Sequence, residues 1–172
     1  PITAAPDMLV DPATKDRWIY FGTGRYFYDT ASALDDADPA KRYKMAYWNW
    51  HDRARGASGI WVAVSPDGLH WQVSPESPVV PSTASGDTFG IMQDPVSRRF
   101  WLYHKSPMEP LRKVSRLVSE DFVHWRGDEL ILEPDERDQP DTEFYGLSSF
   151  AYGGQYLGYL WVFHTYSQQI DI

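Results

Sequence analysis

The chain has 172 residues, a length that suits one domain with a hydrophobic core. Its 16 basic and 24 acidic residues give a net charge of −8, which argues against a nucleic acid or an anionic membrane as partner. The absence of cysteine excludes disulfide bonds and thiolate metal sites. The sequence also lacks an apolar run of about 20 residues, the length that a membrane-spanning helix needs. These features suit a secreted and a cytoplasmic protein equally. Because the chain begins at Pro1 without a signal pattern, we expect the natural N-terminus to lie outside it.

The distribution of apolar residues predicts an all-β fold. Aromatic residues make up 16% of the chain, with 8 Trp and 11 Tyr, and the apolar segments are short. They are separated by 13 Pro and 12 Gly, residues that punctuate strands more often than helices.

Taken in order, residues 1–28 hold a turn and the aromatic strand Trp18-Ile19-Tyr20, which we interpret as a partial strand pair. A four-stranded unit is predicted over residues 29–80. Its strands are expected at 30–34, 43–50, 59–65 and from His70 onward.

A second unit is predicted over residues 81–140 and the first half of a third over residues 141–172. The second has strands at 88–92, 100–104, 114–119 and from Trp125 onward. The third has strands at 144–150 and 156–164, joined by a turn at Gly153-Gly154, and another begins near Ile170.

Two turn motifs recur in the same order. Ser-x-Asp-x-x-His-Trp occurs at 65–71 and 119–125, and an Asp-Pro turn before an aromatic strand occurs at Asp38 and Asp94. Asp bonds its own backbone in such turns, so we assign these residues a structural role. The period of about 55 residues indicates an internal repeat.

Four antiparallel strands in each repeat predict the blade of a β-propeller. The chain holds about three blades, whereas propellers close with roughly four to eight. We therefore expect the remaining blades to come from a longer chain or from self-association.

Propeller topology places the first strand of every blade at the central axis, so acidic residues that open these strands should meet in one funnel. Glycoside hydrolysis requires carboxylates grouped in a pit. One attacks the sugar or activates water, and a second, protonated one donates its proton to the leaving oxygen. The candidate catalytic acids are Asp29, Asp87 and Glu143, with Asp35 or Asp36 as alternatives to Asp29.

Further residues at the same mouth are candidates for substrate binding. Asp141 either begins a strand structurally or binds a sugar hydroxyl, and aromatic side chains suit the apolar faces of a sugar ring. Three histidines end second strands, as framework residues or as substrate contacts. The aromatic and histidine candidates are Trp48, Trp50, Phe89, Phe144, Tyr145, His51, His104 and His164.

Charged loop residues complete the predicted mouth. Arg53, Arg55, Lys105, Arg112 and Lys113 are either solvated or paired with an acidic or sulfated sugar. No histidine lies in a zinc-binding context, so no metal site is predicted, and no cofactor is implied.

The repeated turns, together with an acidic residue at the start of each inner strand, resemble the five-bladed propeller glycoside hydrolases. These are the invertase/levanase relatives (family 32-like) and the arabinanase/xylosidase relatives (family 43-like). The resemblance extends from about Asp29 to Ile172. It implies Asp29 as nucleophile or base, Asp87 as the acid that stabilises the transition state, and Glu143 as general acid. Local motifs differ, since Gly86-Asp87-Thr88 stands where the invertase-like relatives have Arg-Asp-Pro.

The leading hypothesis is thus an O-glycosyl hydrolase acting on a carbohydrate substrate. A lectin-like propeller that binds glycans without cleaving them is the alternative, and a repeat scaffold that binds proteins on its rim is a third. Cleavage that depends on Glu143 separates the first from the others.

Overall fold

The structure, a computed structural model, describes residues 38–50, 58–106 and 111–172 in full, together with the backbone of three strands nearer the N-terminus. The chain divides into two compact units, Pro1–Val79 and Val80–Ile172. All regular structure in the described residues is β-strand apart from one short 3₁₀ helix, and the sheets are antiparallel. The prediction of an all-β fold is therefore confirmed.

The first unit contains a hairpin and a meander. Strands β1 (Asp7–Val10) and β2 (Arg17–Tyr20) pair antiparallel. The meander then pairs its strands in chain order, and these are β3 (Gly24–Tyr26), β4 (Tyr43–Asn49), β5 (Gly59–Ser65) and β6 (Gln72–Val73). Strand β5 is almost entirely buried, as its apolar run requires.

The entry into this meander differs from the prediction at one point. Strand β4 pairs with β5 on one side and with β3 on the other. The sequence interpretation had placed the residues of β3 in the preceding strand pair. Residues 30–34, predicted to be the inner strand, lie outside the described residues, as do Asp29, Asp35 and Asp36. A 3₁₀ helix at Pro39–Lys41 leads into β4, and the Asp38 carboxylate accepts a hydrogen bond from the Ala40 amide at its start.

The second unit holds two sheets. After the short strand β7 (Val80–Pro81), four strands pair in chain order as a meander: β8 (Phe89–Gln93), β9 (Phe100–Lys105), β10 (Val114–Ser119) and β11 (Arg126–Leu132). The other sheet consists of β12 (Thr142–Tyr152), β13 (Gln155–His164) and β14 (Gln169–Asp171). The predicted strands of this half are confirmed to within a few residues. Gly153 and Gly154 both have positive φ in the β12–β13 turn, as a tight hairpin requires.

The two copies of the Ser-x-Asp-x-x-His-Trp turn have the same hydrogen bonds. In the first, Ser65 Oγ accepts from the Gly68 amide at 2.8 Å, and Asp67 Oδ1 accepts from the His70 amide at 2.8 Å. In the second, the corresponding distances from Ser119 and Asp121 are 2.9 and 2.8 Å. The structural assignment of these residues is therefore confirmed.

The two sheets of the second unit pack closely through their first strands. A Cβ on Gly90 of β8 would lie 2.2 Å from the carbonyl oxygen of Leu147 in β12, so only glycine fits at this crossing. Farther along, the hydroxyl of Tyr156 donates to Asp94 at 2.6 Å, and its ring lies 5.1 Å from that of Trp101. The strand that follows Asp87 and the strand that contains Glu143 are therefore packed against each other.

Candidate functional site

Asp87 lies just before β8 and forms an ion pair with the last residue of β9. The Lys105 ammonium donates to Asp87 Oδ1 at 2.9 Å, with the lysine side chain only 9% exposed and the aspartate 38%. The neighbouring Gly86 provides the room, since a Cβ there would lie 2.2 Å from Lys105 Cε. Asp87 thus presents a partly open carboxylate whose charge is balanced by a buried cation.

Glu143 lies at the start of β12 and is 11% exposed. Its carboxylate accepts from the guanidinium of Arg112, which precedes β10. The backbone fixes the same contact, because the Phe144 amide donates to the Arg112 carbonyl at 3.0 Å. The second candidate acid is therefore also held by a cation.

Tyr145 connects the two ion pairs. It lies at a register shift between β12 and β13, a β-bulge of the kind that redirects a side chain. Lys105 Nζ lies 4.0 Å from the centre of its ring and Arg112 Cζ lies 5.6 Å from it. Asp87, Glu143 and Tyr145, each predicted from sequence as part of the site, therefore occupy one cluster with Lys105 and Arg112.

Asp141 and His164 lie at the same end of the β12 sheet. His164 Nδ1 is 3.7 Å from Asp141 Oδ1, and its Nε2 is 3.3 Å from the carboxylate of Asp171. The Asp141 carbonyl also accepts from the Thr165 amide at 2.9 Å. The two residues thus connect the ends of three strands, and Asp141 lies two residues before Glu143 in the sequence.

His104 points away from this cluster. It precedes Lys105 in β9, and adjacent side chains of a strand face opposite sides of the sheet. It is 1% exposed, with Nε2 3.0 Å from Asp128 Oδ1. Burial lowers the pKa of the imidazole even though the carboxylate of Asp128 acts in the other direction. The structure therefore places His104 in the framework of its sheet.

Of the remaining predicted aromatic residues, Phe89 begins β8 and Phe144 lies buried in β12, whereas Trp48 and Trp50 belong to the first unit. The rings of Trp48 and Trp50 meet edge to face at 5.3 Å, and Trp50 is 61% exposed, which leaves an aromatic surface open to solvent. The predicted residues His51, Arg53 and Arg55 lie outside the described residues.

The turn acids differ from the site acids in their partners. Hydrogen bonds from the backbone and side chain of His70 hold the pKa of Asp67 well below its usual range. At Asp94, burial raises the pKa, but hydrogen bonds from Ser97 and Tyr156 outweigh it and lower the pKa to about 2. These carboxylates are occupied in maintaining turns.

The sequence did not predict that Lys105 and Arg112 pair with the candidate acids, and both were grouped with other charged loop residues. A signal was present: Lys105 follows the predicted β9 strand directly and alternates with His104, so it faces the other side of the sheet. The bulge at Tyr145 had no comparable sequence signal.

A scan of the sequence against protein-family models and a search of curated proteins found no match. Within the described ranges, no three His, Asp or Glu side chains are grouped so as to hold a metal ion. No helix in that part of the chain is long and apolar enough to cross a membrane.

Proposed function

We propose that this chain forms part of a five-bladed propeller that hydrolyses glycosidic bonds. The observation that carries the proposal is that the ion pairs of Asp87 and Glu143, from two successive sheets, meet at the ring of Tyr145. The cations of these pairs, Lys105 and Arg112, lie 4.0 and 5.6 Å from the centre of that ring. Two carboxylates in one cluster with an aromatic residue match the chemistry of glycoside hydrolysis, in which both acids flank one bond of a sugar.

The propeller arrangement is supported by the packing of the first strands. Strands β8 and β12 belong to different sheets and yet approach closely at Gly90 and Leu147, as neighbouring inner strands around an axis would. The β8–β11 meander has the four antiparallel strands of a blade. In this arrangement the remaining blades come from a longer chain or from further copies.

Each residue of the cluster has a role in the proposed reaction. Glu143 donates a proton to the leaving oxygen, Asp29 attacks the sugar or activates water, and Asp87 stabilises the transition state. Lys105 donates a hydrogen bond to Asp87 and holds its carboxylate in place. Tyr145 offers the face of its ring to the sugar. No cofactor takes part.

Replacement of Glu143 by Gln tests the proposal. The change keeps the size of the side chain but removes the proton, so cleavage should fall by about 10²–10⁴-fold while glycan binding persists. Release of reducing sugar from a panel of neutral and acidic glycosides measures the effect. Glu133→Gln is the matched control, because Glu133 pairs with Lys113 in an exposed position. Equal cleavage by both variants would refute the role of Glu143.

One observation favours the lectin-like alternative. Both candidate acids are held in ion pairs with cations, an arrangement that a binding site can use without any proton transfer. If the unmutated protein binds glycans but cleaves none of the panel, the site is a binding site and the alternative holds.

A further inference from the structure

Each candidate acid is paired with a cation, and each cation has N–H donors that this pair does not use. Lys105 has three N–H groups and Arg112 has five, and their ion pairs with Asp87 and Glu143 use only part of this capacity. Within the described part of the chain, Nε of Arg112 is buried without a hydrogen-bond partner. Buried donors are nearly always paired in proteins, so this one points to an acceptor that a ligand would supply.

The cations do not depend on the acids alone for their positions. The Tyr145 ring lies 4.0 Å from Lys105 Nζ, and the Phe163 ring lies 4.9 Å from Arg112 Cζ. The face of an aromatic ring attracts a cation, so the rings help to hold both charges when a ligand replaces an acid as their partner. The cluster also stands out in a chain whose net charge is −8, where general attraction of anions is not expected.

We propose that Lys105, Arg112 and Tyr145 form a subsite for the anionic group of an acidic saccharide, the carboxylate of a uronic acid or a sulfate ester. This inference rests on the proposed function, because it names the substrate class of the same site. The guanidinium matches both groups through paired N–H donors, and the ring of Tyr145 covers the apolar face of the sugar.

Matched ligands test the subsite on the unmutated protein. One arm compares oligogalacturonides with their methyl esters, and the other compares sulfated oligosaccharides with their desulfated forms, with binding measured by calorimetry. Loss of a charge-assisted hydrogen bond should weaken binding about tenfold or more in at least one arm. The arm that responds identifies carboxylate or sulfate as the recognised group. Equal affinity within both pairs, or no binding of any acidic member, would overturn the inference.

Variants locate the effect. Arg112→Gln should abolish the preference for the acidic member of the pair, whereas Arg126→Gln should retain it, because Arg126 is an exposed residue paired with Glu120. Arg112→Lys keeps the positive charge but loses the paired N–H donors of the guanidinium, so it should retain part of the preference. This variant provides the test if Arg112→Gln does not fold. Unchanged preference in a folded Arg112 variant counts against the subsite.

The two proposals fail in different ways. Cleavage of neutral glycosides with no preference for acidic ones overturns the subsite and leaves the hydrolase intact. Preferential binding of acidic glycans without cleavage of any glycoside supports the subsite and overturns hydrolysis.

Discussion

Substitution of Gly90 by Ala tests the packing that brings the candidate acids together. The added Cβ would lie 2.2 Å from the carbonyl oxygen of Leu147, a backbone atom that cannot rotate away. Cβ contacts below 3.0 Å essentially do not occur, so β8 and β12 would have to separate by about 0.8 Å, the difference between the two distances. Such a shift disturbs the whole contact between two sheets.

The expected cost follows from overpacking. An extra carbon in a tightly packed site lowers the free energy of unfolding by roughly 1–3 kcal/mol. Replacement of glycine by alanine also restricts the unfolded chain, which raises that free energy by about 0.4–1 kcal/mol and offsets part of the loss. In a unit of this size each kcal/mol lowers Tm by roughly 4–8 °C, so Tm should fall by several degrees. Gly158→Ala is the control, because its Cβ would meet Leu147 Cδ1 at 3.0 Å, the end of a side chain that can move.

Differential scanning calorimetry of the two variants beside the unmutated chain measures the difference. Gly90→Ala should melt well below Gly158→Ala, which should remain near the unmutated Tm. If all three melt together, β8 and β12 do not approach as described. The packing argument for neighbouring inner strands would then be lost.

Three further outcomes are expected from the turns and the sheet contacts. Phe122 is buried against Phe100 and Trp125 in the second repeated turn. Phe122→Ala should lower the free energy of unfolding, measured with urea, by about 3–5 kcal/mol. Tyr156→Phe removes the hydrogen bond to Asp94 and should lower the free energy of unfolding in the same assay; no loss would mean that the bond contributes nothing. Because the folded pKa of Asp94 is lowered from 3.8 to about 2, its contribution is fully present above pH 3.8 and is lost as the pH falls through about 2. Asp94→Asn should therefore reduce Tm near pH 7 and have a diminishing effect toward pH 2, and a pH-independent difference would contradict the assignment.

The sequence predicted the local structure well because strands and turns depend on nearby residues. The Asp67 and Asp121 turns could be recognised from the Ser, Asp and His spacing alone, and their hydrogen bonds are all within six residues. The repeat carried one surprise, since Phe122 adopts φ 70° where the first copy has Gly68 at φ 75°. Packing of the buried phenyl ring offsets the strain of that conformation.

The site could be predicted only in part, because its geometry depends on contacts between sheets. Asp87 and Glu143 were predicted as candidates because each lies at or just before the start of a strand. Their cations were not assigned, since the pairing of Glu143 with Arg112 spans 31 residues and has no local pattern. His104 was expected in the site because the sequence predicted it as the last residue of an aromatic strand. In the structure β9 extends one residue further, to Lys105, and it is the Lys105 side chain that lies on the side of the sheet where the acids are.

The partners of a carboxylate separate the structural acids from the candidate functional ones. Asp67 and Asp121 each accept backbone amide bonds through one oxygen and bind a histidine through the other, so a substrate would have to break the turn to reach them. Asp87 and Glu143 each have one oxygen in an ion pair with a side chain. Within the described residues, the remaining oxygen of each has no such bond, and a side chain can move where a backbone cannot. The two candidate acids can therefore exchange a side-chain partner for a substrate without a change in the backbone, whereas the turn acids cannot.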